Sequence, residues 1–269
     1  IAKGSFCCVY SALYKKRPVA VKCSRSDVDR AAANDALLTE LGVLAHTRHP
    51  NIINVVGYGW NNDKEGSCIF LVLDLIEHGT LGDLLNEDKS NGLGLTCSVD
   101  LAIQLSRAMK YLELGVSNEY GILHRDLKPE NIGISDGRIQ LMDFGLARVI
   151  RTGGKLGEVY EMTSECGTLR YMAPEVAKGL HYNEKCEVYS FGLIFWQMIT
   201  GSKPYDEFAP QVFLEDVIKG GLRPVIPEWC PLELAQLLQG MWHPNPSVRP
   251  SFEEIELALS IYVMQKKYT

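Results

Sequence analysis

The chain has 269 residues, 46% of them hydrophobic and 22% charged, the balance of a globular protein large enough for one broad core or two lobes. A net charge of −6 with no run of lysines or arginines excludes the basic footprint of a nucleic-acid or anionic-lipid binder, and no apolar run reaches the roughly 18 residues of a membrane span. The eight cysteines have no CxxC spacing and the histidines do not cluster, so reduced thiols rather than zinc ligands are expected, in an intracellular, cytoplasmic protein without a leader.

The chain opens with IAKGSFCCVY, an apolar, β-leaning stretch whose single glycine is Gly4. RPVAVKC and CIFLVLDL are β-branched or apolar runs that predict strands. Between them Leu37, Leu41 and Leu44 recur at i, i+4 and i+7, which predicts one helix. After EHGTLG the pattern changes. Leu101, Leu105, Ala108 and Leu112 repeat every three to four residues and predict a helix from about Ser98. GILH, NIGI and RIQLMDF read as short strands, with SDG at 135–137 as a turn. RTGGKLGEVYEMTSECGT is the longest stretch without periodicity, and such loops in compact domains are usually functional or mobile. The expectation is an α+β chain: a small β-rich lobe with one helix over residues 1–76, then a larger, mainly α lobe over 77–269.

Four motifs follow one another. VAVK ends at Lys22, HRDLKPEN covers 124–131, DFG covers 143–145 and APE covers 173–175. In this order they resemble the signature set of protein kinases, and the likeness spans essentially the whole chain. EVYSFGLIFWQMITG and MWHPNPSVRPSF are similar to the later helices of the tyrosine-kinase-like group. Lys128, two residues after Asp126, and GTLRYMAPE resemble serine/threonine rather than tyrosine kinases. The resemblance implies a two-lobed protein kinase domain that transfers the γ-phosphoryl group of ATP to Ser or Thr of protein substrates, with Mg2+. It also implies control by an upstream kinase or by trans-autophosphorylation. The alternatives are a pseudokinase scaffold that binds nucleotide weakly or not at all, and a tyrosine or dual-specificity kinase.

Phosphoryl transfer asks the protein for positioning and charge stabilisation rather than covalent chemistry. On the resemblance, Lys22 holds the α- and β-phosphates and Glu40, nine residues before His49, holds Lys22. Asn131 and Asp143 supply hard oxygen ligands for magnesium. Asp126 accepts or orients the substrate hydroxyl, and Lys128 neutralises the phosphate in transit. Val9 and Ala20 roof the adenine, Leu73 guards the back pocket, and Asp74 C=O with Ile76 N–H form the hydrogen-bonding edge. Thr168 links the catalytic loop to the substrate platform, and Ser164, with Thr163 as competitor, is the expected activating phosphosite, its phosphate meeting Arg125. His124 is expected to pack beneath the loop, and Glu175 and Arg249 to form a buried structural ion pair.

Three positions depart from the family pattern. The phosphate lid keeps only Gly4, where the missing side chain lets backbone N–H groups approach a phosphate; Cys7 is expected on the outgoing strand, pointing away from the nucleotide. Gly133 stands where the family has a leucine under the adenine, a gap for a neighbour such as Ile76 or Met142 to fill. Glu187 replaces the aspartate that bonds the catalytic-loop backbone, keeping the carboxylate one methylene further out. On the helix that follows, Gln197 stands where arginine-directed kinases carry glutamate, which argues against a basic substrate consensus.

Overall fold

A computed structural model describes residues 2–3, 7–25, 27–63, 66–87, 92–116, 119–151 and 169–267. Five strands form one antiparallel sheet: β1 (Ala2–Lys3), β2 (Cys7–Tyr14), β3 (Arg17–Ser24), β4 (Val55–Asp63) and β5 (Gly66–Asp74), in the order β1-β2-β3-β5-β4. The two apolar runs become β3 and β5. The edge strand β4 was not foreseen from its residues, because Gly57, Gly59 and paired asparagines break its apolar alternation and a bulge interrupts its register between Val55 and Gly57.

The predicted helix is α1 (Arg30–His46), started by Asp29, whose carboxylate accepts the Ala31 N–H at 2.9 Å. Ala33, Leu37, Val43 and Leu44 are buried and Leu41 is partly so. Glu40 falls three residues after Leu37, on the same face, and is carried into the interior with it.

The second lobe contains α2 (Leu81–Glu87), α3 (Leu95–Lys110), α4 (Pro174–Ala177), α5 (Lys185–Thr200), α6 (Pro210–Val212), α7 (Leu232–Met241) and α8 (Phe252–Lys267). Helix α3 begins three residues before Ser98, directly after Gly94, whose φ of 72° suits glycine and no helix interior. Helix α5 is the core of this lobe, buried on every side from Cys186 to Ile199. Helix α8 lies against α3, with Glu256 pairing to Arg107 at 2.8 Å and to Lys110 at 3.1 Å.

Two short hairpins carry the loops of interest. β7 (Ile132–Ser135) pairs with β8 (Arg138–Leu141) through a turn in which Asp136 and Gly137 both take positive φ. β6 (Tyr120–Leu123) pairs with β9 (Arg148–Arg151), an element hidden in the sequence because its two flanking arginines mask Val149 and Ile150. RIQLMDF is a strand only as far as Leu141, since Asp143 leaves the β region at φ 66°. The chain therefore folds as two lobes, a β-sheet with one helix and a larger helical body. Among the described residues no helix is long and apolar enough to cross a membrane.

Candidate active site

Lys22, near the end of β3, reaches across to α1. Its Nζ donates to Glu40 Oε2 at 2.6 Å and to Asp143 Oδ1 at 3.0 Å, so residues separated by 121 positions meet at one ammonium. Burial opposes the charge on Lys22, but the Glu40 and Asp143 carboxylates outweigh it and hold its pKa above the ordinary lysine value. Asp143 feels the same balance from the other side: burial would raise its carboxyl, and the attraction and hydrogen bond of Lys22 bring it below the usual range. The second oxygen of Glu40 accepts from the Phe144 N–H at 3.4 Å, which joins α1 to the DFG segment.

The catalytic-loop residues gather on Asp126. Its Oδ2 accepts from Lys128 Nζ at 2.6 Å and from Asn131 Nδ2 at 3.0 Å, while the same Asn131 amide also donates to the Asp126 carbonyl at 2.8 Å. Both Nδ2 bonds turn the Asn131 oxygen the other way. Beneath the loop, His124 is fully buried, its Nε2 3.0 Å from the Met142 carbonyl and its ring 4.8 Å from that of Phe144. Burial lowers its pKa, the state of a neutral packing histidine.

Glu187 does what its extra methylene permits: Oε1 accepts the Arg125 N–H at 2.7 Å, and the carboxylate also takes a backbone bond from His124. Burial pushes its carboxyl up to about 7 in spite of those bonds. Arg125 and Asp143 both sit at positive φ, 69° and 66°, where a side chain is uncommon. No pattern in the residues announces this strain. It is held by tertiary contacts on both loops, as expected where backbone strain gathers at a site.

The apolar residues expected around adenine come from both sides of the lobe boundary. Val9 pairs with Lys22 across β2 and β3, and Ala20 pairs with Leu73 across β3 and β5, with Ala20 and Leu73 buried. The Asp74 side chain turns to Arg17 at 3.0 Å, and the Ile76 N–H has no hydrogen-bond partner among the described residues. Ile76 fills the gap at Gly133: a Cβ there would lie 2.7 Å from Ile76 Cδ1. Cys7 departs from expectation. It is buried on the inner face of β2, within the electrostatic reach of Lys22, Glu40 and Asp143, and burial pushes its thiol up to about 11. Alternation along β2 decides this, because exposed Tyr10 and half-buried Cys8 take the outer face.

Glu175 and Arg249 are joined by two bonds, 2.5 Å and 2.9 Å, with Arg249 almost wholly buried. Gln197 is buried and accepts the Tyr171 hydroxyl at 2.6 Å. Gly4, Thr163, Ser164, Cys166 and Thr168 lie outside the described residues.

The donor set fits a magnesium nucleotide. A half-exposed Asp143 carboxylate and the Asn131 oxygen are hard ligands, and a buried cation, Lys22, stands beside the first of them.

The model of the protein tyrosine and serine/threonine kinase family matches residues 1–259. The chain is 31% identical to the serine/threonine/tyrosine-protein kinase HT1 of Arabidopsis thaliana over 266 residues, 97% of this chain and 64% of that protein. It is 35% identical to the serine/threonine-protein kinase VIK of Arabidopsis thaliana over 262 residues, 95% of this chain and 57% of that one. Mitogen-activated protein kinase kinase kinase 7 of Bos taurus is 32% identical over 259 residues, 95% of this chain and 41% of its own length. The chain thus spans less than two thirds of each of these relatives. On motifs, geometry and match alike, it belongs to the protein tyrosine and serine/threonine kinase family, within which it resembles the tyrosine-kinase-like group.

Proposed function

We propose that this domain is an active protein serine/threonine kinase, transferring the γ-phosphoryl group of ATP to a Ser or Thr hydroxyl of a protein substrate. The observation that carries the reading is the closed triad of Lys22, Glu40 and Asp143, which sets a buried cation and a half-exposed carboxylate side by side. In this reading Lys22 binds the α- and β-phosphates, with Glu40 holding the long side chain in place at the cost of no further ordering when nucleotide arrives. Asn131 and Asp143 hold Mg2+, which neutralises phosphate charge when bound. Asp126 orients the substrate hydroxyl and accepts its proton, and Lys128, already 2.6 Å from that carboxylate, offsets the charge that develops on the phosphoryl oxygens. Val9, Ala20, Leu73 and Ile76 enclose the adenine. Asp74 C=O and Ile76 N–H supply its hydrogen-bonding edge, and Gly4 brings the lid backbone to the phosphates.

The division into residues 1–76 and 77–269 follows the same reading, one lobe for nucleotide and one for peptide. Ser164, or Thr163, takes the activating phosphate from an upstream kinase or a second copy, and Arg125 receives it. A cytoplasmic setting suits reduced cysteines and an ATP-dependent reaction. The relatives named serine/threonine kinases support the choice of hydroxyl, as does Lys128. Incubation with labelled ATP, Mg2+ and a degenerate Ser/Thr/Tyr peptide array, followed by phosphoamino-acid analysis, tests it. Phosphoserine or phosphothreonine is expected; phosphotyrosine alone, or no turnover, would overturn it.

A further inference from the structure

The N-terminal sheet brings three thiols to one face. Cys8 on β2 stands directly opposite Cys23 on β3, and Cys23 stands opposite Phe70 on β5. Opposed residues of antiparallel strands share a face, and Cys68, two residues from Phe70, shares it too. All three are unoxidised and half-buried.

Distance decides which pair can join. Directly opposed Cα atoms in an antiparallel ladder lie about 4.5 or 5.5 Å apart, inside the span of about 4.4–6.8 Å that a disulfide bridges. A diagonal neighbour such as Cys68 lies about 7–8 Å from Cys23, beyond that span. We propose that Cys8 and Cys23 form a redox-modification site, closed by hydrogen peroxide into a cross-strand disulfide.

The steps balance. The Cys8 thiolate attacks one peroxide oxygen, the O–O bond breaks, and Cys8 sulfenic acid forms while the departing hydroxide takes a proton to become water. Cys23 sulfur then attacks the Cys8 sulfur; the S–S bond forms, the S–O bond breaks, and hydroxide leaves as water with the proton that Cys23 gives up. Two thiols and one peroxide become one disulfide and two waters, with two electrons passing from sulfur to oxygen. Burial, with the fields of Cys8 and Cys68, pushes the Cys23 thiol up, which disfavours Cys23 as the first thiolate.

The neighbouring rung is Val9 opposite Lys22. Opposed Cβ atoms are about 4.5–5.5 Å apart and must close to about 3.8 Å in a disulfide. The bridge therefore draws β2 toward β3 beside the nucleotide slot. A rise of several-fold in the ATP KM of the oxidised protein is expected, a consequence that rests on the kinase reading, whereas the bridge itself does not.

The test treats the purified chain with hydrogen peroxide under native conditions, blocks the remaining thiols and maps the peptides. A peptide pair joined through Cys8 and Cys23 is expected in the parent and in Cys68→Ser, cleaved by dithiothreitol and absent in Cys8→Ser and Cys23→Ser. Cys8→Ser alone suffices should Cys23→Ser fail to fold. Blocking of both Cys8 and Cys23 after oxidation, their conversion to sulfinic acids, or a Cys23–Cys68 linkage would overturn the proposal. A bridged protein with unchanged ATP KM would overturn the coupling to the nucleotide site, and a protein that bridges on oxidation but shows no kinase turnover in its reduced state would count against the kinase reading alone.

Discussion

The side chain of Ile76 occupies the space that a Cβ on Gly133 would need, with Cδ1 at 2.7 Å, Cγ1 at 2.8 Å and Cγ2 at 3.0 Å from that position. A residue just after β5 thus fills the space that β7 leaves open at Gly133. The volumes of the two side chains are therefore coupled.

Gly133→Leu alone should overfill this place. Forcing a larger side chain into a packed site costs about 1–3 kcal/mol, so both thermal stability and ATP affinity should fall. Adding Ile76→Ala should restore most of both. Thermal unfolding and ATP KM on the single and double variants check it, and a single variant as stable as the parent would show that the floor is not shared.

Lys22→Met should reduce kcat by at least about a hundredfold, since one charge clamp in a dry site is worth that much. It also strands Glu40, and breaking a buried pair costs about 3–5 kcal/mol, so the melting temperature should drop. Lys22→Met with Glu40→Gln should recover stability without activity. Asp126→Asn and Asp143→Asn should match the loss in turnover with smaller changes in stability. Steady-state kinetics beside calorimetry separates the two effects.

Glu187 accepts backbone N–H groups of Arg125 and His124. Glu187→Gln keeps an acceptor oxygen and should retain most activity. Glu187→Ala leaves those donors buried without it, a cost of about 1–3 kcal/mol for each, and should loosen the loop that carries Asp126. The measurement is kcat at saturating ATP. Equal kcat in the alanine variant and the parent would remove Glu187 from the positioning of the loop.

Glu113 is buried, and burial together with the field of Glu184 pushes its carboxyl up to about 7, against the pull of Lys185. A carboxyl with a raised folded-state pKa binds its proton more tightly when folded. Its contribution to stability is therefore complete below the ordinary carboxyl range and is lost as pH rises through about 7. Glu113→Gln should be stabilising relative to the parent at pH 8, by about 3 kcal/mol, and the difference should vanish toward pH 4. Glu187 titrates with the same sign, so the parent should lose stability as pH rises from about 4.5 to about 7. Denaturant unfolding across that range, with and without the substitution, checks the slope.

Arg249 forks onto Glu175 while nearly fully buried. Arg249→Lys keeps the charge and loses the two-pronged geometry, and Arg249→Met leaves Glu175 alone in the interior. Stability should fall in that order, the methionine variant by about 3–5 kcal/mol. A melting temperature unchanged in Arg249→Met would contradict the structural role.

The meeting of Lys22 with Asp143, and of Lys128 and Asn131 with Asp126, was legible through short motifs whose fixed order resembles that of protein kinases. Glu40 was legible through the resemblance, by its nine-residue spacing from His49, and its helix face shared with Leu37 and Leu44 carries it inward. The strands β3 and β5 announced themselves through apolar runs, which local burial writes directly into composition. The edge strand β4, by contrast, owes its conformation to pairing with β5, since its glycines and asparagines have no strand preference of their own. Positive φ at Arg125 and Asp143, the inward turn of Cys7, the filling of Gly133 by Ile76 and the pairing of Cys8 with Cys23 all depend on neighbours far along the chain. Chemistry repeated within a few residues is visible in one dimension. Register, volume and strain arise from contacts between distant segments, and those only the tertiary structure decided.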